Sequence, residues 1–150
     1  MPTLTEHLSN TFRRLFRSEP AGPMVLCADD DENVRHLCAV ALNKAGFTTD
    51  QARHGREVLD KLKEREYAAI LLDLGMPHLH GATVLSVLGR DNPATLDRTI
   101  IVSGAPEAAL SDTYGRVRAV LRKPVDVAMV VSAVKDCCDE TIRLTRSPVA

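Results

Sequence analysis

From Met24 onward the chain alternates short apolar runs with stretches of helical period, and it does so five times. That alternation constrains the fold more than any other feature. Strands separated by amphipathic helices close most readily into a parallel sheet with the helices laid across its faces. The runs are Met24–Ala28, Phe47–Ala52, Ala68–Leu72, Thr99–Val102 and Ala119–Leu121. The third is apolar throughout, as a central strand covered on both faces should be, and it runs directly into Asp73. An α/β domain with a parallel sheet is the expectation.

The intervening segments read as helices. Val34, Leu37, Cys38, Ala41, Leu42 and Ala45 recur at three and four, with Gly46 as the stop. Val58, Leu59 and Leu62 mark one face of a short outer helix whose other face is charged. A loop from Gly75 to Gly81 leads to a helix through Val84, Leu85, Val87 and Leu88, and then to a polar turn at Pro93. A short helix is expected around Glu107–Tyr114. The last helix has Asp126 as N-cap and a buried stripe of Val127, Val130, Val131, Val134, Cys138 and Ile142.

A length of 150 residues suits one domain, and a net charge of -1 supplies no broad basic surface for nucleic acid. No apolar run approaches the roughly 18–20 residues of a membrane span, and the N-terminus has no signal-type apolar stretch, so a cytoplasmic protein is expected. Cys27, Cys38, Cys137 and Cys138 lack paired metal spacing and read as small apolar residues without a disulfide; of the last two, one is expected buried and one peripheral.

In a parallel sheet, ligands bind beyond the carboxyl ends of the strands. Strand one ends in Asp29, Asp30 and Asp31, strand three in Asp73, strand four in Ser103 and strand five in Lys123, so four strands deliver a charged or reactive group to one edge. Carboxylates within about 4 Å repel by roughly 1–4 kcal/mol per pair, which makes Asp29, Asp30 and Asp73 costly together unless a divalent cation joins them. Magnesium suits such a site, because it takes a few carboxylate oxygens and accepts a phosphoryl oxygen. Asp31 instead reads as a helix start. Asp73 at a strand end is placed to attack phosphorus, with Ser103 and Lys123 placed to meet the oxygens of the transferred group.

The segments VLCADDDENVRHL, AAILLDLGMPHLHG, TIIVSGAPE and LRKP together resemble the receiver domain of two-component response regulators, over about residues 24–144. The resemblance implies a (βα)5 flavodoxin-like, doubly wound five-stranded sheet. It also implies Asp29 and Asp30 as the acidic pair for Mg2+, the Gly75 carbonyl as a further ligand, Asp73 as phosphoacceptor, Ser103 as switch hydroxyl, and Lys123 followed by a cis Pro124. Three departures stand out. Val120 replaces the aromatic residue common three positions before the lysine, the stretch from Ser103 to Lys123 is short, and Gly75 and Ala105 are small where larger polar residues often tune phosphate lifetime.

The implied organisation is an amphipathic extension and linker over 1–23, a receiver over 24–146 and a tail over 147–150. The implied protein is a stand-alone, chemotaxis-regulator-like switch. It receives phosphate from a histidine kinase or phosphotransfer protein and signals by protein contacts, with a homodimer left open. The runner-up is a receiver-like interaction module acting without phosphorylation. A haloacid-dehalogenase-type phosphatase would want a second acid where Gly75 stands, and a flavin or nucleotide carrier would be repelled by Asp29–Asp31. His78 and His80 read as solvated loop residues. In the extension, Leu4, Leu8, Phe12, Leu15 and Phe16 fall on one helical face beside Arg13, Arg14 and Arg17. That pattern suits a helix on its own domain, a partner helix or a membrane-surface contact.

Overall fold

The computed structural model describes residues 22–104 and 115–146, with side chains as far as residue 140. The amphipathic extension, the helix expected near 107–114, the side chain of Ile142 and the tail from 147 lie outside the described residues. Within them run β1 (Met24–Ala28), α1 (Glu32–Lys44), β2 (Thr48–Ala52), α2 (Gly55–Glu64), β3 (Ala69–Asp73), α3 (Gly81–Asp91), β4 (Thr99–Ser103), β5 (Ala119–Arg122) and α4 (Val127–Arg146). The strands form one parallel sheet in the order β2-β1-β3-β4-β5. This is the doubly wound, flavodoxin-like architecture expected.

Side-chain alternation along the strands divides the core in two. Leu26, Ile70, Leu72 and Ile101 face α2 and α3, where Val58, Val84, Leu85 and Leu88 cover them. Val25, Cys27, Leu71, Ile100 and Val102 face the other way, under Cys38 and Leu42 of α1 and Val130, Val134, Cys137 and Cys138 of α4. Since β3 is covered on both faces, all five of its residues are buried, the terminal Asp73 among them.

Strands β3, β4 and β5 each run one residue past the apolar segment, because main-chain pairing continues through Asp73↔Val102 and Ser103↔Arg122. Polar side chains at strand ends hide this from an apolar count. The polar turn at Pro93 is a 3-10 helix, Pro93–Arg98, which buries Thr95 and Leu96; the Thr99 hydroxyl donates to the Thr95 carbonyl at 2.9 Å. Asp31 caps α1 by accepting from the amides of Asn33 and Val34, and Gly46 ends the turn after it at φ 98°.

Two packing expectations need correction. Cys137 and Cys138 are both buried, because α4 sits deep enough in the second core for adjacent positions to be covered from its two sides. Cys137 lies with its sulfur 3.7 Å from the Ala68 carbonyl, while Cys138 joins the cluster against the sheet. The stripe on α1 is also rotated. Cys38 and Leu42 are buried as expected, yet Val34 and Leu37 stand 40% and 55% exposed, and Arg35 is buried. The apolar stripe of α1 is continuous in sequence, but its upper half overlooks a groove instead of a packed neighbour.

Candidate functional site

The chain order places β2 on one side of β1 and β3 on the other, so the crossover direction changes between β1 and β3. A crevice opens at the carboxyl ends of strands where the winding reverses. Asp29 and Asp30 follow β1 at this point, and Asp73 ends β3. One carboxylate oxygen from each of the three lies within 4.8 Å of the others. Asp29 and Asp73 are buried, and Asp30 is exposed, which leaves the cluster open on one side.

The surrounding backbone orients these groups. The Asp31 amide donates to Asp29 Oδ1 at 2.9 Å, and the Gly75 amide donates to Asp73 Oδ1 at 3.0 Å. From β5 comes Lys123, whose Nζ reaches Asp73 Oδ1 at 3.2 Å and whose own amide donates to the Ser103 carbonyl at 2.9 Å. Ser103 is buried at the end of β4, and the Lys123–Pro124 peptide is cis. The residues expected from the sequence to form the phosphoacceptor and metal site, Asp29, Asp30, Asp73, Gly75, Ser103 and Lys123, therefore lie at one edge.

Electrostatics follow from this crowding. Burial pushes the Asp29 carboxyl up to about 6, and the neighbouring charges of Asp73 and Asp30 push the same way, against the Asp31 amide and Lys123. A buried carboxyl that also faces two like charges is one that a divalent cation would relieve. The donor set, three carboxylates, is all oxygen and fits a hard cation such as Mg2+. His78 and His80 are not in this cluster. His80 Nδ1 lies 3.1 Å from the Met76 carbonyl, and His78 occupies the left-handed region at φ 64°.

Sequence reading missed two supporting residues. Arg35 is buried, donating from Nη1 to the Asp29 carbonyl at 2.8 Å and from Nε to Gln51 Oε1 at 3.0 Å, and so holds the main chain at the acidic pair. Nothing in the spacing marks it, since a polar residue beside an apolar stripe reads as surface. Gly81, the first residue of α3, packs against the backbone of the acceptor: a Cβ there would lie 2.7 Å from both the Asp73 carbonyl oxygen and Leu74 Cα. Gly81→Ala is expected to lower stability by about 1–3 kcal/mol, because backbone must shift to admit the methyl. A lowered urea midpoint with unchanged slope checks it, and an unchanged midpoint would show that the α3 start yields freely.

Comparison with known proteins agrees with the geometry. The response regulator receiver domain matches residues 25–135. The sensory/regulatory protein RpfC of Xanthomonas campestris is 31% identical over 140 residues, covering 91% of this chain and 19% of its own length, so the chain spans about a fifth of that relative. Among solved structures, the Francisella response regulator 1452 receiver domain is 26% identical with a TM-score of 0.73, covering 80% of this chain and 99% of that one. The response regulator TrrA of Thermotoga maritima, solved in complex with Mg(2+)-BeF, is 22% identical, with a TM-score of 0.68 over 77% of this chain and 98% of its own, a likeness of fold. With five parallel strands in the receiver order and that match over most of its length, the chain belongs to the response regulator receiver domain family.

Proposed function

We propose that this receiver is a phosphorylation-controlled switch that accepts a phosphoryl group on Asp73 from a histidine kinase or a phosphotransfer protein. The observation that carries this reading is the contact of Lys123 Nζ with Asp73 Oδ1 at 3.2 Å beside the three-carboxylate cluster. In the transfer, an Asp73 carboxylate oxygen forms the new bond to phosphorus as the donor's bond to phosphorus breaks, and the donor leaves with the electron pair. Lys123, already against Asp73, meets a second charge on the added group, and Ser103 offers its hydroxyl to a phosphoryl oxygen. The Asp73–Gly75 amide contact holds the carboxylate in place during approach.

Asp29, Asp30 and Asp73, with the Gly75 carbonyl, would hold Mg2+, the ion present in the TrrA complex. When bound, that ion would supply charge neutralisation for the transferring phosphoryl group. No classical turnover of a separate substrate is assigned; the chain is an acceptor and at most removes its own phosphoryl group.

The receiver unit is assigned to residues 24–146, preceded by the 1–23 extension and followed by the 147–150 tail. Signalling then passes through protein contacts in the cytoplasm; among the described residues no helix is long and apolar enough to cross a membrane. A second reading, a module that binds a partner without phosphorylation, draws on Val120, which is 41% exposed and offers no aromatic ring to report the state of the site.

Intact mass after incubation with acetyl phosphate and magnesium tests the choice. One added phosphoryl group, absent when the metal is chelated, is the expected result. No gain from this donor or from cognate kinases, in protein that demonstrably binds magnesium, would leave the constitutive module as the reading.

A further inference from the structure

Arg35 is the one basic side chain buried among the described residues. A buried charge is ordinarily met by an opposite one, since water no longer solvates it. Here the guanidinium donates to neutral oxygens, from Nη1 to the Asp29 carbonyl and from Nε to Gln51 Oε1, and among the described residues it makes no ion pair. The cation that acts on the Asp29 carboxyl is Lys123. A fixed positive charge also opposes the arrival of a second cation nearby. By charge alone, Arg35 would hinder a divalent ion at the acidic pair.

Its geometry has the opposite effect. Both main-chain groups of Asp29 are tied to β2. The Asp29 amide donates to the Ala52 carbonyl at 3.1 Å, and the Asp29 carbonyl is tied through Arg35 to Gln51, the residue before Ala52. That carbonyl lies in the planar peptide leading into Asp30, so fixing it sets the directions in which the two acidic side chains leave the backbone. A guanidinium is a rigid planar fork, able to hold two acceptors in one fixed relation. Gln51 is exposed on β2, which is an edge strand of the sheet, so the far end of this chain of contacts lies at the surface.

We propose that Arg35 is a positioning residue of the cation site, and that Gln51 holds its guanidinium so that Asp29 and Asp30 stay aimed at one divalent ion. The inference rests on the cation site proposed above and adds to it two residues outside the carboxylate cluster. Groups that orient metal ligands are typically worth about 10–100-fold in affinity.

Calorimetric titration with magnesium chloride, without any phosphodonor, tests this on wild type, Arg35→Lys, Gln51→Leu and the double variant. Lysine keeps the charge but offers a single nitrogen, which cannot span the carbonyl and the Gln51 oxygen as the fork does. Arg35→Lys is expected to weaken magnesium binding by about tenfold or more. Gln51→Leu changes an exposed, neutral side chain and should weaken binding in the same direction by less. The double variant should bind no more weakly than Arg35→Lys alone, because Gln51 acts only through the guanidinium. In metal-free spectra of Gln51→Leu, the Asp30 amide resonance should move while those of α3 and α4 stay in place. Wild-type affinity in the single variants, or losses that add in the double variant, would overturn the proposal. If Arg35→Lys does not fold, Gln51→Leu decides alone, and wild-type affinity there overturns it. A wild type that takes no magnesium would overturn the cation site itself, a result distinct from variants that bind as wild type does.

Discussion

Asp73→Asn is expected to abolish phosphoryl gain completely while leaving the fold intact. The amide has nearly the volume and shape of the carboxylate, and its oxygen can still accept from the Gly75 amide, so the loop after β3 keeps its anchor. What disappears is the nucleophile, since a neutral amide oxygen does not form a stable bond to phosphorus under these conditions. The variant also loses one of three charges from a crowded cluster, so unfolding should not become easier beyond the effect of losing its contact with Lys123. That ion pair joins a partly exposed ammonium to a buried carboxylate, and replacing the carboxylate with a neutral amide leaves no buried charge without its partner. Intact mass measured beside wild type under the same donor and magnesium reads the outcome, and an adduct that hydroxylamine removes marks an acyl phosphate. A full phosphoryl gain in the variant would remove Asp73 as the acceptor.

Much of this site was legible because the sheet is parallel. Once five apolar runs alternate with helices, every strand must point the same way, and the residues immediately after the runs must share an edge. Topology alone therefore brings Asp29, Asp73, Ser103 and Lys123 to one edge. What stayed illegible depends on how closely surfaces approach. The stripe from Val34 to Ala45 is even along α1, and no periodicity says that α4 covers Cys38 and Leu42 while leaving Val34 and Leu37 over a groove. Arg35 was hidden for the opposite reason: its burial is satisfied by a carbonyl and an amide side chain, partners that leave no mark in a hydropathy pattern. Gly81 reads as a loop glycine, and its role emerges only from the backbone of Asp73 lying against it. The adjacent cysteines illustrate the same limit, because a helix sunk into a core buries neighbours that a surface helix would divide.

Replacing Asp29 by asparagine should make the metal-free protein more stable and the protein in saturating magnesium less stable than wild type. The Asp29 carboxyl is raised from 3.8 to about 6, chiefly by burial, so folding disfavours its ionised form. Between about pH 4 and pH 6 the folded state holds this proton more firmly than the unfolded state, and stability from this group falls as pH rises through the window. Above it the penalty is complete. Near pH 7, discounted for the open side of the cluster, it amounts to about 1–2 kcal/mol, which Asn avoids while still accepting from the Asp31 amide. The difference between the two proteins should shrink toward zero below about pH 4, where both side chains are neutral in both states. Exposed carboxylates elsewhere lose their ion pairs in acid, but they do so equally in both proteins and cancel in the comparison. With magnesium present at about 100 times its dissociation constant, wild type gains roughly 2.7 kcal/mol by mass action, and a variant short of one carboxylate ligand does not. The order of stability therefore reverses on adding the ion. Urea denaturation of both proteins at pH 4 and pH 7, with and without magnesium, measures all four corners. If Asp29→Asn proves less stable than wild type in every one of them, Asp29 is a structural residue, and the cluster is not the cation site its geometry fits.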